Sequence, residues 1–363
     1  MGRLRALQVR CDFRHTMQAL ILIGGYGARL RPLTLSVLKP LVEFCNRPML
    51  MYQIEALVKV GIKTIILAIN EDAACLESEI RRMCKMVVKN LVIKKSGVNV
   101  IFSYESEHLG TAGPLANAAR LLCESEEPFY VLNSDIICQY PFKKLMEFHK
   151  SHGKEGTMAV TKVKEPSRFG AVVFNDQSGA VQRFVEKPLD FIANKVNAGL
   201  YVFNPSVLRR IQLKPTSLEL DVFPPMVNDG ELYCIEISGI WMDIGRPKDF
   251  LLGMQMYLEH LRNKGCLEHR DLPDFIGNVL IHPSVKIGIH CVIGPNVTLG
   301  PDVCIGDGVR IQDSAVLSGA KVRSHSRLEG TIVGWNSDVG RWVSKGTVTF
   351  ALFVCNYEVL RKL

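Results

Sequence analysis

Between Met17 and Asp135 the apolar positions switch repeatedly between two periods. MQALILI (17–23), TIILAIN (64–70), NVIFSYE (99–105) and PFYVLNSD (128–135) are short apolar runs with strand character. Between them, PMLMYQIEALVKVG (48–61), DAACLESEIRRMCKMVV (72–88) and AGPLANAARLLCES (112–125) space their apolar residues as amphipathic helices do. Such alternation predicts an α/β domain with a mixed, mostly parallel, Rossmann-like sheet and helices on both faces. Ligands of such sheets sit at the carboxyl ends of the strands. The glycine-rich loop after Ile23 and the acid Asp135 both fall at such ends.

A different period takes over after Lys264. Ile281, Ile287, Ile293, Leu299, Ile305, Ile311 and Leu317 recur every six residues, with Val285, Cys291, Val297, Val303, Val309 and Ala315 two places ahead of the later ones. Gly288, Gly294, Gly300 and Gly306 follow the large apolar position in successive units. Each hexapeptide predicts one face of a left-handed parallel β-helix, with the large apolar residue pointing inward. This phase breaks near Lys321 and resumes around TIVGWNSDVGRWV. The expected plan is therefore an extension (1–16), an α/β domain (17–250), a helical connector (251–268), a β-helix (269–345) and a divergent tail (346–363).

Composition narrows the class. Hydrophobic residues make up 47% and charged residues 22% of the 363 positions, as in a folded soluble protein. No apolar run has the roughly 18 residues of a membrane span. The net charge of +8 is spread over scattered Lys and Arg, with no basic arm or aromatic platform, which argues against nucleic acid and suits an anionic small substrate. Eleven Cys with no CxxC pair read as reduced, intracellular thiols. The four Arg within residues 1–16 surround no apolar core, so this is not a secretory signal.

The chemistry concentrates in a few stretches. In LILIGGYGARLRPLTLSVLKPL, Gly24, Gly25 and Gly27 follow a strand, and Arg29 and Lys39 add fixed positive charge. Glycines there let backbone N–H groups approach phosphate oxygens, although a tight turn with solvated arginines is the plain alternative. The loop has neither a GK[ST] ending nor the GxGxxG spacing. Asp135 and Asp243 each end an apolar run. Two converging carboxylates suit Mg²⁺ shared with substrate phosphates, whereas either one alone reads as a turn or cap residue. Lys187, in RFVEKP, is a point charge for a phosphate or simply an exposed strand-end lysine. His149 and His152 read as a solvated helix face.

Together these stretches resemble the sugar-phosphate nucleotidyltransferase family. GGYGARLRPLTLSVLKPL, LGTAGPL, VLNSD, FVEKP, VNAGLYVF, PTSLELDVFP and WMDIGRPKDF stand in that family's order, and together with the C-terminal hexapeptides they closely resemble its mannose-1-phosphate guanylyltransferase beta-subunit branch. The resemblance runs from Met17 to about Val343. It implies transfer of GMP from GTP to mannose 1-phosphate, giving GDP-mannose and pyrophosphate with Mg²⁺. It also implies Gly24 and Gly25 at the nucleotide, Arg29 and Lys39 at the triphosphate, and Gln53, Gly110 and Thr111 near the guanine. Asp135 and Asp243 would hold the metal, Lys187 the sugar phosphate, and Gly170, Glu186 and Asn197 would border the hexose. A regulatory alpha subunit in a cytoplasmic hetero-oligomer is the implied partner.

Ala28, Leu38 and His108 depart from the family's Thr, Pro and Pro, and FALFVCNYEVLRKL departs from its C-terminus. Those departures keep open a weakly active or regulatory subunit of the same fold that binds GDP-mannose. A hexapeptide-repeat acyltransferase using His282, His290 or His325 would leave the first 250 residues without a purpose.

Overall fold

The structure is a computed structural model and describes residues 17–25, 27–90, 98–267 and 275–345; the extension and the tail lie outside the described residues. The described chain forms two compact units, each discontinuous in sequence. One takes residues up to 24 with 55–133 and 141–237; the other takes 25–54, 134–140 and the residues from 238 onward.

The first unit is built on a nine-stranded mixed sheet. Its centre is parallel: Gln18–Leu22 lies between Thr64–Asn70 and Phe129–Asn133, and Asn99–Glu105 continues the sheet beside Thr64–Asn70. Leu20, Ile66 and Val131 are fully buried, as strands covered on both faces require. Lys195–Phe203 then runs antiparallel to Phe129–Asn133 and turns the sheet toward Gly156–Lys162, Gly170–Phe174 and Val181–Glu186. The expected helix over 72–88 is a 3-10 turn, Glu71–Leu76, followed by a helix, Glu77–Asn90. That over 112–125 breaks into Gly113–Asn117 and Ala119–Leu122.

The histidine expectation is corrected here. His149 is 1% exposed, not solvated, and its Nδ1 lies 2.8 Å from Thr157 Oγ1, while His152 Nε2 lies 2.7 Å from the same hydroxyl. His152 also stacks on Tyr233 with 4.4 Å between ring centroids. Sequence spacing placed both on one helix turn but could not show that the turn faces Gly156–Lys162.

The second unit holds the β-helix, four coils of three short parallel strands. Inward residues step by 18 positions on all three faces at first (281 to 299, 287 to 305, 293 to 311) and by 17 thereafter (299 to 316, 305 to 322, 311 to 328). The shortening falls between Ile311 and Val316, ahead of the expected break at Lys321, and stacking continues to Ser344–Lys345. Asn296, Asp302, Asp313 and Asn336 take left-handed backbone (φ 46 to 58) at its corners, a conformation their short polar side chains tolerate.

Leu317 therefore does not point inward, as its six-residue phase suggested. Val316 takes the inward place, and Ala315 and Leu317 face out into an apolar cluster with Leu33, Val42, Phe44, Phe250 and Met254. Phe250 and Met254 come from the helix Pro247–Asn263. Cluster, helix and loop 25–54 belong to the same unit as the coils.

Candidate active site

Two short strands explain how the aspartates meet. Ile136–Cys138 runs antiparallel to Trp241–Asp243, with Asp243 opposite Ile136. The Ile244 N–H donates to the Asp135 carbonyl at 3.1 Å, which pins both acids at one end of the ribbon. Gln53, expected near a base, is fully buried, and its amide donates to the Ile136 carbonyl at 3.4 Å. Its visible work is to support the turn that carries Asp135.

The cationic residues of the glycine loop converge on these acids. Lys39 lies in a 3-10 turn, Lys39–Leu41, and its ammonium donates to Asp135 Oδ2. Leu38, which precedes that turn, has φ −57 and ψ 141, the backbone that proline would impose, so Lys39 keeps its presentation without the proline. Gly245 shows how tight the group is. A β-carbon there would lie 2.9 Å from Asp243 Oδ1, 3.1 Å from Lys39 Nζ and 3.2 Å from Arg29 Nη2. The Gly245 N–H donates to Asp243 Oδ1 at 2.8 Å. Burial, then the neighbouring Asp135 charge, push the Asp243 carboxyl up, against the pull of Lys39, the Gly245 N–H and Arg29.

This donor set fits a hard divalent cation. Among the described residues no three Asp, Glu, His or Cys side chains gather as a metal cage. Two carboxylates suit a Mg²⁺ ion that keeps waters and substrate phosphate oxygens as its remaining ligands.

Apart from Gly25, which opens segment 25–54 of the second unit, the other expected residues lie in the first unit. Gly24 is exposed at the end of Gln18–Leu22. Gly110 has φ +77 and pairs with Thr216, whose carbonyl would stand 2.5 Å from any β-carbon at 110, so only glycine fits. His108 Nδ1 accepts the Gly110 N–H at 3.0 Å and so takes part in that turn. The Thr111 hydroxyl is engaged locally: it donates to Glu219 Oε2 at 2.6 Å and accepts the Leu218 N–H at 2.8 Å.

Gly170 pairs with Glu186 across two strands, and a β-carbon on it would lie 2.5 Å from the Phe184 ring and 2.9 Å from Glu186 Oε2. Glu186 accepts from Lys187 Nζ at 2.6 Å, with the lysine side chain 65% exposed. Asn197, at an irregularity of strand Lys195–Phe203, donates to Tyr201 Oη at 2.7 Å and accepts the Gly199 N–H at 2.9 Å.

The structure adds a residue that the sequence reading missed. Glu105 ends strand Asn99–Glu105 and is 3% exposed. Its Oε1 has no hydrogen-bond partner among the described residues, and a β-carbon on Gly24 would lie 3.5 Å from it. Burial pushes this carboxyl up. The signal that flagged Asp135, an acid closing an apolar strand, was present here too.

Two acids and two cations gathered at one end of a short antiparallel ribbon are chemically suited to phosphate oxygens and a cation. The residues between 18 and 260 match the nucleotidyl transferase family model, and the chain belongs to that family. Residues 275–351 match the model named GMPPB C-terminal domain. The chain is 56% identical over 333 residues to the mannose-1-phosphate guanyltransferase beta-A of Xenopus laevis, covering 92% of this chain and 90% of that one. With the same coverage it is 54% identical to the mannose-1-phosphate guanylyltransferase catalytic subunit beta of Danio rerio. Over 337 residues it is 53% identical to the mannose-1-phosphate guanyltransferase of Hypocrea jecorina, again covering 92% and 90%.

Proposed function

We propose that the protein is a Mg²⁺-dependent mannose-1-phosphate guanylyltransferase that makes GDP-mannose and pyrophosphate from GTP and mannose 1-phosphate. The gathering of Arg29, Lys39, Asp135 and Asp243 around Gly245 carries this reading. A phosphate oxygen of the sugar phosphate attacks the α-phosphorus of GTP, the bond to the β-phosphate oxygen breaks, and pyrophosphate leaves with that electron pair. The nucleophile is already an anion, so no general base is needed.

Arg29 and Lys39 neutralise the triphosphate as it sheds charge onto the leaving group. Lys187 holds the sugar phosphate, and Gly170, Glu186 and Asn197 border the hexose. Gly24, Gly25 and Gly110, with Thr111 and Gln53, are the residues that the family resemblance assigns to the nucleotide. Asp135 and Asp243 would hold Mg²⁺, which supplies charge neutralisation and alignment of phosphate oxygens. Glu105 supplies a carboxylate for the base, since guanine alone among the common bases offers two adjacent donors, N1–H and N2–H, on one edge.

The four charged groups weigh against a purely regulatory subunit. A partner of the alpha type accords with the words "catalytic subunit beta" in the relatives' names. No helix among the described residues is long and apolar enough to cross a membrane.

The test is pyrophosphate release by purified protein with mannose 1-phosphate, Mg²⁺ and each common NTP in turn. Release with GTP alone, lost in Asp135→Asn, is the expected outcome. Release with another NTP overturns the guanine assignment, and no release from folded protein overturns the activity.

A further inference from the structure

The β-helix does more in the second unit than stack. Segment 25–54, which carries Arg29 and Lys39, touches three successive coils along one face. Asn46 Nδ2 donates to the Leu299 carbonyl at 2.8 Å. Glu43 accepts the Ser318 hydroxyl with both carboxylate oxygens, at 2.8 and 2.7 Å, and the Ser318 N–H at 3.3 Å. One coil further on, Leu33 Cδ2 reaches to 3.9 Å from the place of a Gly334 β-carbon.

The helix that follows Asp243 leans on the same face, with Gln255 Nε2 donating to Asp313 Oδ1 at 3.1 Å. Between these polar contacts lie Ala315 and Leu317, turned outward by the change from 18-residue to 17-residue coils. The carriers of Lys39 and of Asp243 thus rest on one surface. Glu43 is also close to the lysine along the chain, because the Val42 N–H closes the turn on the Lys39 carbonyl at 3.2 Å.

We propose that the Ser318–Glu43 contact is a strut through which the β-helix holds Lys39 against Asp135, which makes Ser318 a positioning residue for phosphate transfer. Ser318 touches no reacting group; it acts through Glu43 and the turn that follows Lys39. Sub-ångström displacement of a charge that stabilises a transition state lowers turnover while leaving ground-state binding largely intact. The catalytic consequence rests on the function proposed above, whereas the mechanical one does not.

The experiment compares the full chain with Ser318→Ala, Ser318→Thr and Glu43→Ala in three readouts: amide hydrogen exchange over residues 39–44, kcat and KM for GTP, and the thermal midpoint. Ser318→Ala and Glu43→Ala are expected to raise exchange in 39–44 and to lower kcat about tenfold. KM should stay within about twofold and the midpoint within about 2 °C. Ser318→Thr, which keeps the hydroxyl, should restore both exchange and kcat. Unchanged exchange in 39–44 overturns the strut. So does faster exchange with wild-type kcat, or a kcat loss that follows the thermal midpoint and is not rescued by threonine. If wild-type protein releases no pyrophosphate, the functional reading fails and exchange alone decides the strut.

Discussion

Glu105→Gln is expected to move stability and activity in opposite directions. In the free protein the carboxylate is 3% exposed, and among the described residues Oε1 has no partner and Oε2 accepts only the Leu109 N–H, at a long 3.4 Å. Holding a charged oxygen in that state opposes folding, and a neutral amide of the same shape relieves about 1 kcal/mol. Hydrogen bonds to a charged acceptor contribute about 1.5–3 kcal/mol each. If guanine donates two, replacing the carboxylate removes one and sets an N–H against the other donor, a loss of about 3 kcal/mol, or about two decades in kcat/KM for GTP.

Linkage fixes the pH window for the stability gain. The folded carboxyl is raised above its usual 4.5, so its unfavourable charge is present at neutral pH and vanishes as the group protonates on acidification. Urea midpoints should therefore show the variant more stable at pH 7, with the two proteins converging toward pH 4. A variant that is less stable than wild type, and that turns over GTP within about threefold of it, refutes the reasoning and leaves Glu105 a structural acid.

Further outcomes follow from the same geometry. Asp243→Asn should lower turnover at least a thousandfold while leaving the urea midpoint unchanged or slightly higher, because an amide oxygen still accepts the Gly245 N–H and the buried like-charge contact with Asp135 is gone. Lys187→Ala should raise KM for mannose 1-phosphate about tenfold or more with the melting midpoint within about 1 °C, since an exposed pair with Glu186 adds little to stability. His152 is held down to about 4 by burial, with His149 adding to it, so the unfolded chain takes up a proton that the folded one refuses. Wild type should lose about 1–2 kcal/mol as pH falls from 6.5 to 4, after allowance for partial exposure, and His152→Gln should flatten that slope in pH-dependent denaturation.

The central strands were legible because a strand covered on both faces must be apolar throughout: TIILAIN carries its own boundaries. The β-helix was legible for the same reason, since every inward position needs one large apolar residue. Leu317 shows where that logic stops. An outward position buried against other chain segments looks identical in sequence to an inward one, so counting by sixes passed over a shortened coil. The convergence of Asp135 and Asp243 was invisible to periodicity, because it depends on a three-residue antiparallel pairing between distant segments; the family resemblance supplied the pair, and the strand register supplies the cause. Glu105 carried the same signal as Asp135, an acid closing a strand, but what singles it out is a buried oxygen with no partner among the described residues, which no linear pattern encodes.

The interleaved second unit also sets an order of events during synthesis. Glu43 waits for Ser318, 275 residues later, which at ribosomal speeds of about 5–20 residues per second means roughly 15 to 55 seconds with Leu33, Val42 and Phe44 lacking their final cover. The sheet of the first unit can be complete in that interval. A nascent chain halted before the third coil would carry Arg29 and Lys39 on an apolar surface open to chaperones and proteases. Premature stop codons in the hexapeptide region should therefore act through abundance, emptying the cell of protein long before impaired chemistry could be measured.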